Sequence, residues 1–217
     1  LVGLVLDWIF ALRSAPVVSG LLLLMIFTAS VAAVGRSSRT YAGIHLDSFV
    51  SMFGASVPVT AVAVVGILGV EPWYEPRYII PFLGMLLGNA LNGISLGLDR
   101  LLVRFGEWRP RIEMRLSLGA TGWEAAREAV IDALRTGMIP IINTMLVVGM
   151  VSLPGMMTGQ LLAGASPGVA ARYQILILFM IAATTALGTL VAVLLGYRRL
   201  LNDRHQLLAH RIRIRPE

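Results

Sequence analysis

Five long apolar runs, at residues 17–34, 49–70, 78–98, 138–162 and 175–197, are separated by short polar stretches. Each approximates the roughly 20 apolar residues that a helix needs to cross a bilayer, where lipid offers backbone polar groups no partner. None contains Arg, which costs about 2.5–3.5 kcal/mol at a span centre. A further run at 1–12 is too short to span and lacks the basic start of a signal peptide. With Leu1 opening the chain in place of Met, it reads as the second half of a membrane helix whose beginning is truncated.

Composition agrees with this pattern and adds orientation. The 217 residues are 57% hydrophobic and only 14% charged, with a mean hydropathy of +0.79, as in a polytopic membrane protein. The net charge of +6 comes from 18 Arg and no Lys, against 12 acids. These Arg follow topology rather than a nucleic-acid surface: loops rich in Arg alternate with Arg-poor loops from span to span, as the positive-inside rule requires. The stretch 99–135 and the basic tail 198–217 are therefore expected in the cytoplasm, the chain lying in the inner (plasma) membrane with its C-terminus cytoplasmic. The tail's default partner is anionic membrane lipid, contact with a soluble subunit the alternative, and nucleic acid is not expected. The absence of Cys excludes disulfides and thiolate metal sites in this chain.

The insert 99–135 is too short for a core of its own. Thr121 followed by Glu124 forms a capping box that predicts a helix starting at Gly122. Ala125, Ala126, Ala129, Val130 and Ala133 then recur on one face, with Glu124, Arg127, Glu128, Asp132 and Arg135 on the other. Gly119 punctuates the helical stretch 112–118 before it, so the two helices form an angled elbow. A solvated loop helix and a docking handle for a soluble partner both fit these residues.

A resemblance separates the two. Many ABC-transporter permeases carry a cytoplasmic loop of Glu, two Ala, three variable residues and Gly that enters a groove of the nucleotide-binding subunit. Glu113 and Gly119 match that spacing, Met114 and Arg115 replace the two Ala, and the expected later Ile-x-Leu-Pro is missing, although Pro140 lies further on. More specific are Ile80-Pro-Phe-Leu-Gly-Met-Leu-Leu-Gly-Asn89-Ala90, Leu116-Ser-Leu-Gly-Ala-Thr121, Val148-Gly-Met-Val-Ser-Leu-Pro-Gly-Met-Met-Thr-Gly159 and Arg204-His-Gln206. In these blocks the chain resembles the FetB-like (YbbM-like) ABC permeases, bacterial iron exporters grouped with the plant aluminium-sensitivity permease. Members of that family have a further span and a half upstream. The resemblance implies one all-α permease domain over 1–217, a polytopic transmembrane helix bundle with a cytoplasmic coupling-helix insert. It implies a second permease copy, a separate ATPase carrying ATP and Mg, and Glu113, Gly119, Ala120, Thr121, Gly122, Trp123 and Glu124 as the ATPase-coupling residues. The chain itself is expected to be non-catalytic and cofactor-free, since without Lys it has no P-loop.

Polar groups inside the spans need partners that lipid cannot give, so Asn89 and Asn92, sharing one face at i, i+3, and Asn143 are expected to face the protein interior. Interhelical hydrogen bonding and a polar conduit both account for them. Pro154 and Gly155, inside an apolar run, predict a kinked or broken helix, as either a packing device or a substrate site, and Ser152, Met156, Met157 and Gln160 accompany them. The methionine thioethers suit copper(I) better than iron. No Asp or Glu falls in the five runs; Asp7, in the partial first helix, and Asp99, at a cytoplasmic end, are the nearest candidates for a hard cation, and His45, His205 and His210 are dispersed, so no metal ligand set is assigned. Gly84 with Gly88, Gly93 with Gly97, and Gly155 with Gly159 have the spacing of helix-packing contacts, within one bundle or between copies. Two other classes remain alternatives: an ATP-independent secondary transporter or channel, and a non-transporting scaffold. An ABC permease for another substrate, such as a sugar nucleotide, is a third.

Overall fold

Proline sets where most of the helices begin. Its fixed φ suits the first helical turn, and its missing N–H is no loss there. In a computed structural model, described for residues 14–151, 153–202 and 206–214, Pro lies at the start of α1 (Ala15–Gly35), α3 (Pro76–Glu107), α4 (Arg109–Ser117) and α7 (Pro167–Leu200). The others are α2 (Ile44–Ala61), α5 (Gly122–Val147) and α6 (Gly155–Leu162). The expected half-helix at 1–12, with Asp7, lies outside the described residues, as do Ser152, His205 and Arg204.

Among the described residues five helical segments are long and apolar enough to cross a membrane: α1, α2 with its continuation to Ile67, α3, α5 and α7. The chain is an all-α bundle, and among the described residues the strands form a two-residue ladder pairing Arg39–Thr40 with Arg213–Ile214. At about 1.5 Å per residue, α3 and α7 are each roughly 50 Å long and exceed a hydrocarbon core of about 30 Å. The third helix therefore runs well past the predicted 78–98, and the insert 99–135 consists largely of the ends of two membrane helices, with α4 between them.

The fourth predicted run, 138–162, is corrected. The helix there is α5, which starts at Gly122 and ends at Val147; a turn follows, and α6 begins after Pro154. Hydropathy merged two helices because the break between them is itself apolar, whereas backbone geometry divides them: Gly149 has φ +85° and Pro154 supplies an extended N-cap. Pro140, by contrast, is accommodated inside a continuous α5. In α2, Pro58 is followed by a π-helical segment, Val62–Ile67, in which Leu68 N–H reaches back to the Ala63 carbonyl at 2.9 Å.

Helices α3 and α7 form the centre and pack on α2 and α5. Where α3, α5 and α7 cross, backbones meet. A Cβ on Gly137 would lie 2.7 Å from the Gly93 carbonyl and 2.6 Å from Thr189 Cγ2, and one on Gly97 would lie 2.8 Å from Thr189 Cγ2. Small residues bring helices close where lipid provides no hydrophobic driving force. Gly93 and Gly97 thus pack within one bundle, while a Cβ on Gly88 or Gly159 would meet no atom of the described residues within 4 Å.

Candidate functional site

The Arg-rich ends of the helices gather at one end of the bundle, and ion pairs tie them together. Asp132 on α5 accepts from Arg100 Nε and Arg104 Nε on α3, each at 2.7 Å. Glu128, one turn earlier on α5, pairs with Arg111 and Arg115 of α4 at 2.8 and 2.7 Å. The Arg104 guanidinium also lies 4.4 Å from the centre of the Trp108 ring. Two acids on one helix thereby hold both arms of a helical hairpin. Asp132 and Glu128 lie on the face opposite the Ala stripe, as periodicity placed them, and are 30% and 45% exposed there while clasping the hairpin.

The elbow is built from two caps placed back to back. Gly119, at φ +91°, ends α4: its N–H reaches the Leu116 carbonyl at 3.0 Å, and the Ala120 N–H reaches that of Arg115 at 3.1 Å. This is a Schellman ending, which requires the left-handed conformation glycine adopts at little cost. Thr121 then opens α5 through a complete capping box, its N–H donating to Glu124 at 2.8 Å and its hydroxyl accepting from the Glu124 N–H. Gly122 is buried at the first helical position. Glu113 is half-exposed and accepts from Arg109 Nε at 2.8 Å, so it braces α4. Trp123, 44% exposed, rests edge-on against Tyr197 of α7, ring centres 5.6 Å apart. At the tip Leu118 is 80% exposed, with Met114 at 57% beside it on α4. Sequence reasoning missed this apolar tip, because a Leu inside a helical stretch carries no signal that it faces outward.

A second feature escaped the sequence reading because Asp47 falls two residues outside the predicted second run. The helix starts earlier, at Ile44, and buries Asp47 to 3% exposure. Tyr41 donates to it at 2.9 Å, and Arg199, near the end of α7, reaches both carboxylate oxygens at 3.2 and 3.3 Å. Burial first, and the neighbouring carboxylate second, push the Tyr41 phenol far above its ordinary pKa, so it remains a donor. Asp99 closes the same end, accepting from the Ser38 N–H and hydroxyl at 2.7 and 2.6 Å.

Towards the Arg-poor end, a cavity of about 210 Å³ opens between α3, α5, α7 and the break before α6. Asn89, Pro154 and Met156 line it, together with Thr144, and with Gln174, which the sequence reading did not assign. Asn92 does not join Asn89 there; its Oδ1 accepts from Arg36 at the end of α1, at 2.5 Å. Asn143 faces outward on an exposed strip of α5 with Ile139, Ile142 and Leu146, contrary to the expected interior position. Met157 and Gln160 lie half-buried on α6, the Gln160 Oε1 without a partner. Among the described residues no three His, Asp or Glu side chains gather as a metal site would need.

The family described as Uncharacterised protein family (UPF0014) matches residues 1–201. A protein named UPF0014 membrane protein slr1647, from Synechocystis, is 39% identical over 95% of this chain and 80% of its own length. The Probable iron export permease protein FetB of Escherichia coli is 35% identical over 98% of this chain and 81% of its own. Protein ALUMINUM SENSITIVE 3 of Arabidopsis thaliana is 29% identical over 96% and 75%. No solved structure matches.

Proposed function

This chain belongs to the UPF0014 family of membrane proteins, and from that premise we propose that it is the permease subunit of an ATP-driven ABC exporter whose substrate is iron. The observation that carries the proposal is the clasped hairpin: α3 and α5 leave the membrane, are tied through Asp132 and Glu128, and end in an elbow with Leu118 exposed. A lever fixed to two membrane helices is what a separate ATPase needs in order to move them. A channel or secondary transporter has no use for it.

In this reading the Arg-rich end is cytoplasmic, and the ATPase, which binds ATP and Mg, receives the elbow at residues 113–124 in a groove. Its closure swings α4 and the start of α5 together, and α5 carries the displacement to its end at Val147, beside the cavity. The strip containing Asn143 meets a second permease copy, since an exposed amide on a membrane helix needs a partner that lipid lacks. Iron as cargo rests on the similarity to the probable iron export permease of Escherichia coli. ATP hydrolysis is the partner's chemistry and this chain holds no catalytic group for it.

Because the chain has no Cys, single-cysteine variants test the assembly cleanly. Leu118→Cys is expected to cross-link to the co-expressed ATPase and Asn143→Cys to a second permease copy. Cross-linking of Leu118→Cys to lipid-phase reagents, with none to the ATPase, would refute the docking arrangement.

A further inference from the structure

Helices α1 and α3 pack side by side and run in the same direction, towards the Arg-rich end, with an open groove of about 380 Å³ between them. Met25, Ala29 and Ala32 of α1 line it with Gly84, Leu87 and Gly88 of α3. Ala32 and Gly88 are exposed, and a Cβ on Gly88 would meet no atom of the described residues within 4 Å. Leu24, Phe27 and Val31, all exposed, flank the groove on α1, so it opens towards hydrocarbon. The Thr28 hydroxyl in the lining turns back to the Leu24 and Met25 carbonyls, 3.0 Å from each, and its donor is spent there. One turn beyond Ala32 on α1 comes Arg36, and one turn beyond Gly88 on α3 comes Asn92. Arg36 Nη1 donates to Asn92 Oδ1, so this pair closes the Arg-rich end of the groove. Among the described residues Arg36 forms no ion pair, and its exposed guanidinium keeps further N–H groups to donate.

From this we infer that the groove between α1 and α3 binds one anionic glycerophospholipid, with an acyl chain along Met25 to Ala32 and the headgroup phosphate on Arg36. The inference goes beyond the transport reading and does not depend on it. The lengths agree: Met25 to Arg36 covers about 16 Å of helix, close to half of a hydrocarbon core about 30 Å thick. A chain anchored at the headgroup level therefore has the reach of the groove. The guanidinium offers paired N–H groups that match two phosphate oxygens, and Asn92 holds it at the groove's end without neutralising it. The excess of Arg in the loops at this end favours a lipid of net negative charge over a zwitterionic one. A helix of a second copy fits less well, because it would have to bring an acid to Arg36. At this end Asp47, Asp99, Glu128 and Asp132 are already held by partners in their own chain. A free phosphate would satisfy Arg36 and leave the apolar groove unfilled.

Native mass spectrometry of the full chain, released from nanodiscs of mixed phosphatidylglycerol and phosphatidylcholine, tests this by identifying the lipid that stays bound. A single phosphatidylglycerol per chain should be retained in preference to phosphatidylcholine. Added to the delipidated protein in detergent, phosphatidylglycerol should raise the melting temperature by roughly 2–4 °C, and inorganic phosphate should not. Arg36→Gln should weaken retention about tenfold, the change that one hydrogen bond to a charged group carries, and Arg36→Lys should restore part of it. Gly88→Leu, whose side chain enters the open groove, should weaken retention of both lipids. Melting curves without lipid check that each variant folds. Wild-type retention of phosphatidylglycerol in both Arg36→Gln and Gly88→Leu would overturn the proposal. A loss of retention in Arg211→Gln/Arg213→Gln but not in Arg36→Gln would overturn it as well, placing the lipid at the tail. So would a phosphate shift equal to that of the lipid, or a disulfide between two copies through Gly88→Cys, which would put protein in the groove.

Discussion

Asp132 on α5 and Arg104 on α3 are joined by a 2.7 Å hydrogen bond, and Arg100 shares the same carboxylate oxygen. The pair joins two helices just where both emerge from the apolar bundle, so a push on one is transmitted to the other. Replacing Asp132 by Ala removes both bonds while changing little of the core, the side chain being 30% exposed. Thermal stability is expected to fall by only a few degrees. Permease-stimulated ATP hydrolysis should drop about tenfold, a coupling loss of ordinary allosteric size. ATPase assays of the reconstituted complex check this, and unchanged stimulation would show that the clasp is not part of the lever.

At the elbow, exposure and backbone geometry predict separable effects. Leu118 is 80% exposed, so Leu118→Glu is expected to retain the fold while affinity for the ATPase falls by about 1–2 kcal/mol, roughly 5- to 30-fold. Gly119→Val acts through the backbone, because φ +91° costs a branched residue about 1–3 kcal/mol. Melting temperatures and pull-downs together distinguish the two. Trp123→Asp, which also breaks the contact with Tyr197, should show both defects.

The Asp47 latch should be asymmetric. Removing Arg199 leaves the buried carboxylate with Tyr41 as its remaining side-chain donor, whereas Asp47→Asn leaves a half-exposed guanidinium that water can serve. Arg199→Ala is thus expected to destabilise by about 1–3 kcal/mol and Asp47→Asn by less. Thermal unfolding of the two variants in the same detergent measures the order.

Gly137→Ala should be among the most damaging single-methyl changes in the chain. Its Cβ would enter the space of the Gly93 carbonyl and Thr189 Cγ2, and overpacking of this kind costs about 1–3 kcal/mol. The added methyl of Gly88→Ala would meet no atom of the described residues within 4 Å and should leave the stability of the single chain unchanged. Comparison of their expression and melting curves checks the pair.

The membrane helices were legible because apolar length is a strong signal, and the elbow because Gly119 and the Thr121–Glu124 box are local features that needed no tertiary contact. Hydropathy could not separate α5 from α6, since Met150, Val151 and Leu153 are as apolar as the helices they divide. Asp47 was hidden because its burial depends on Tyr41 and on Arg199, 152 residues away. Gln174 and Thr144 meet Asn89 only through helix packing, which periodicity within one helix does not report. Asn143 shows the converse: its type suggested an interior position, while the folded protomer presents it outward.

The central claim is that a separate ATPase drives iron through this bundle by way of the elbow. Its most direct test is Fe²⁺ flux in proteoliposomes containing the permease and its ATPase, with ATP supplied on the side of the elbow. The account predicts ATP-dependent iron movement away from that side, abolished in Leu118→Glu. Iron movement at the same rate without ATP, or unaffected by Leu118→Glu, would contradict it.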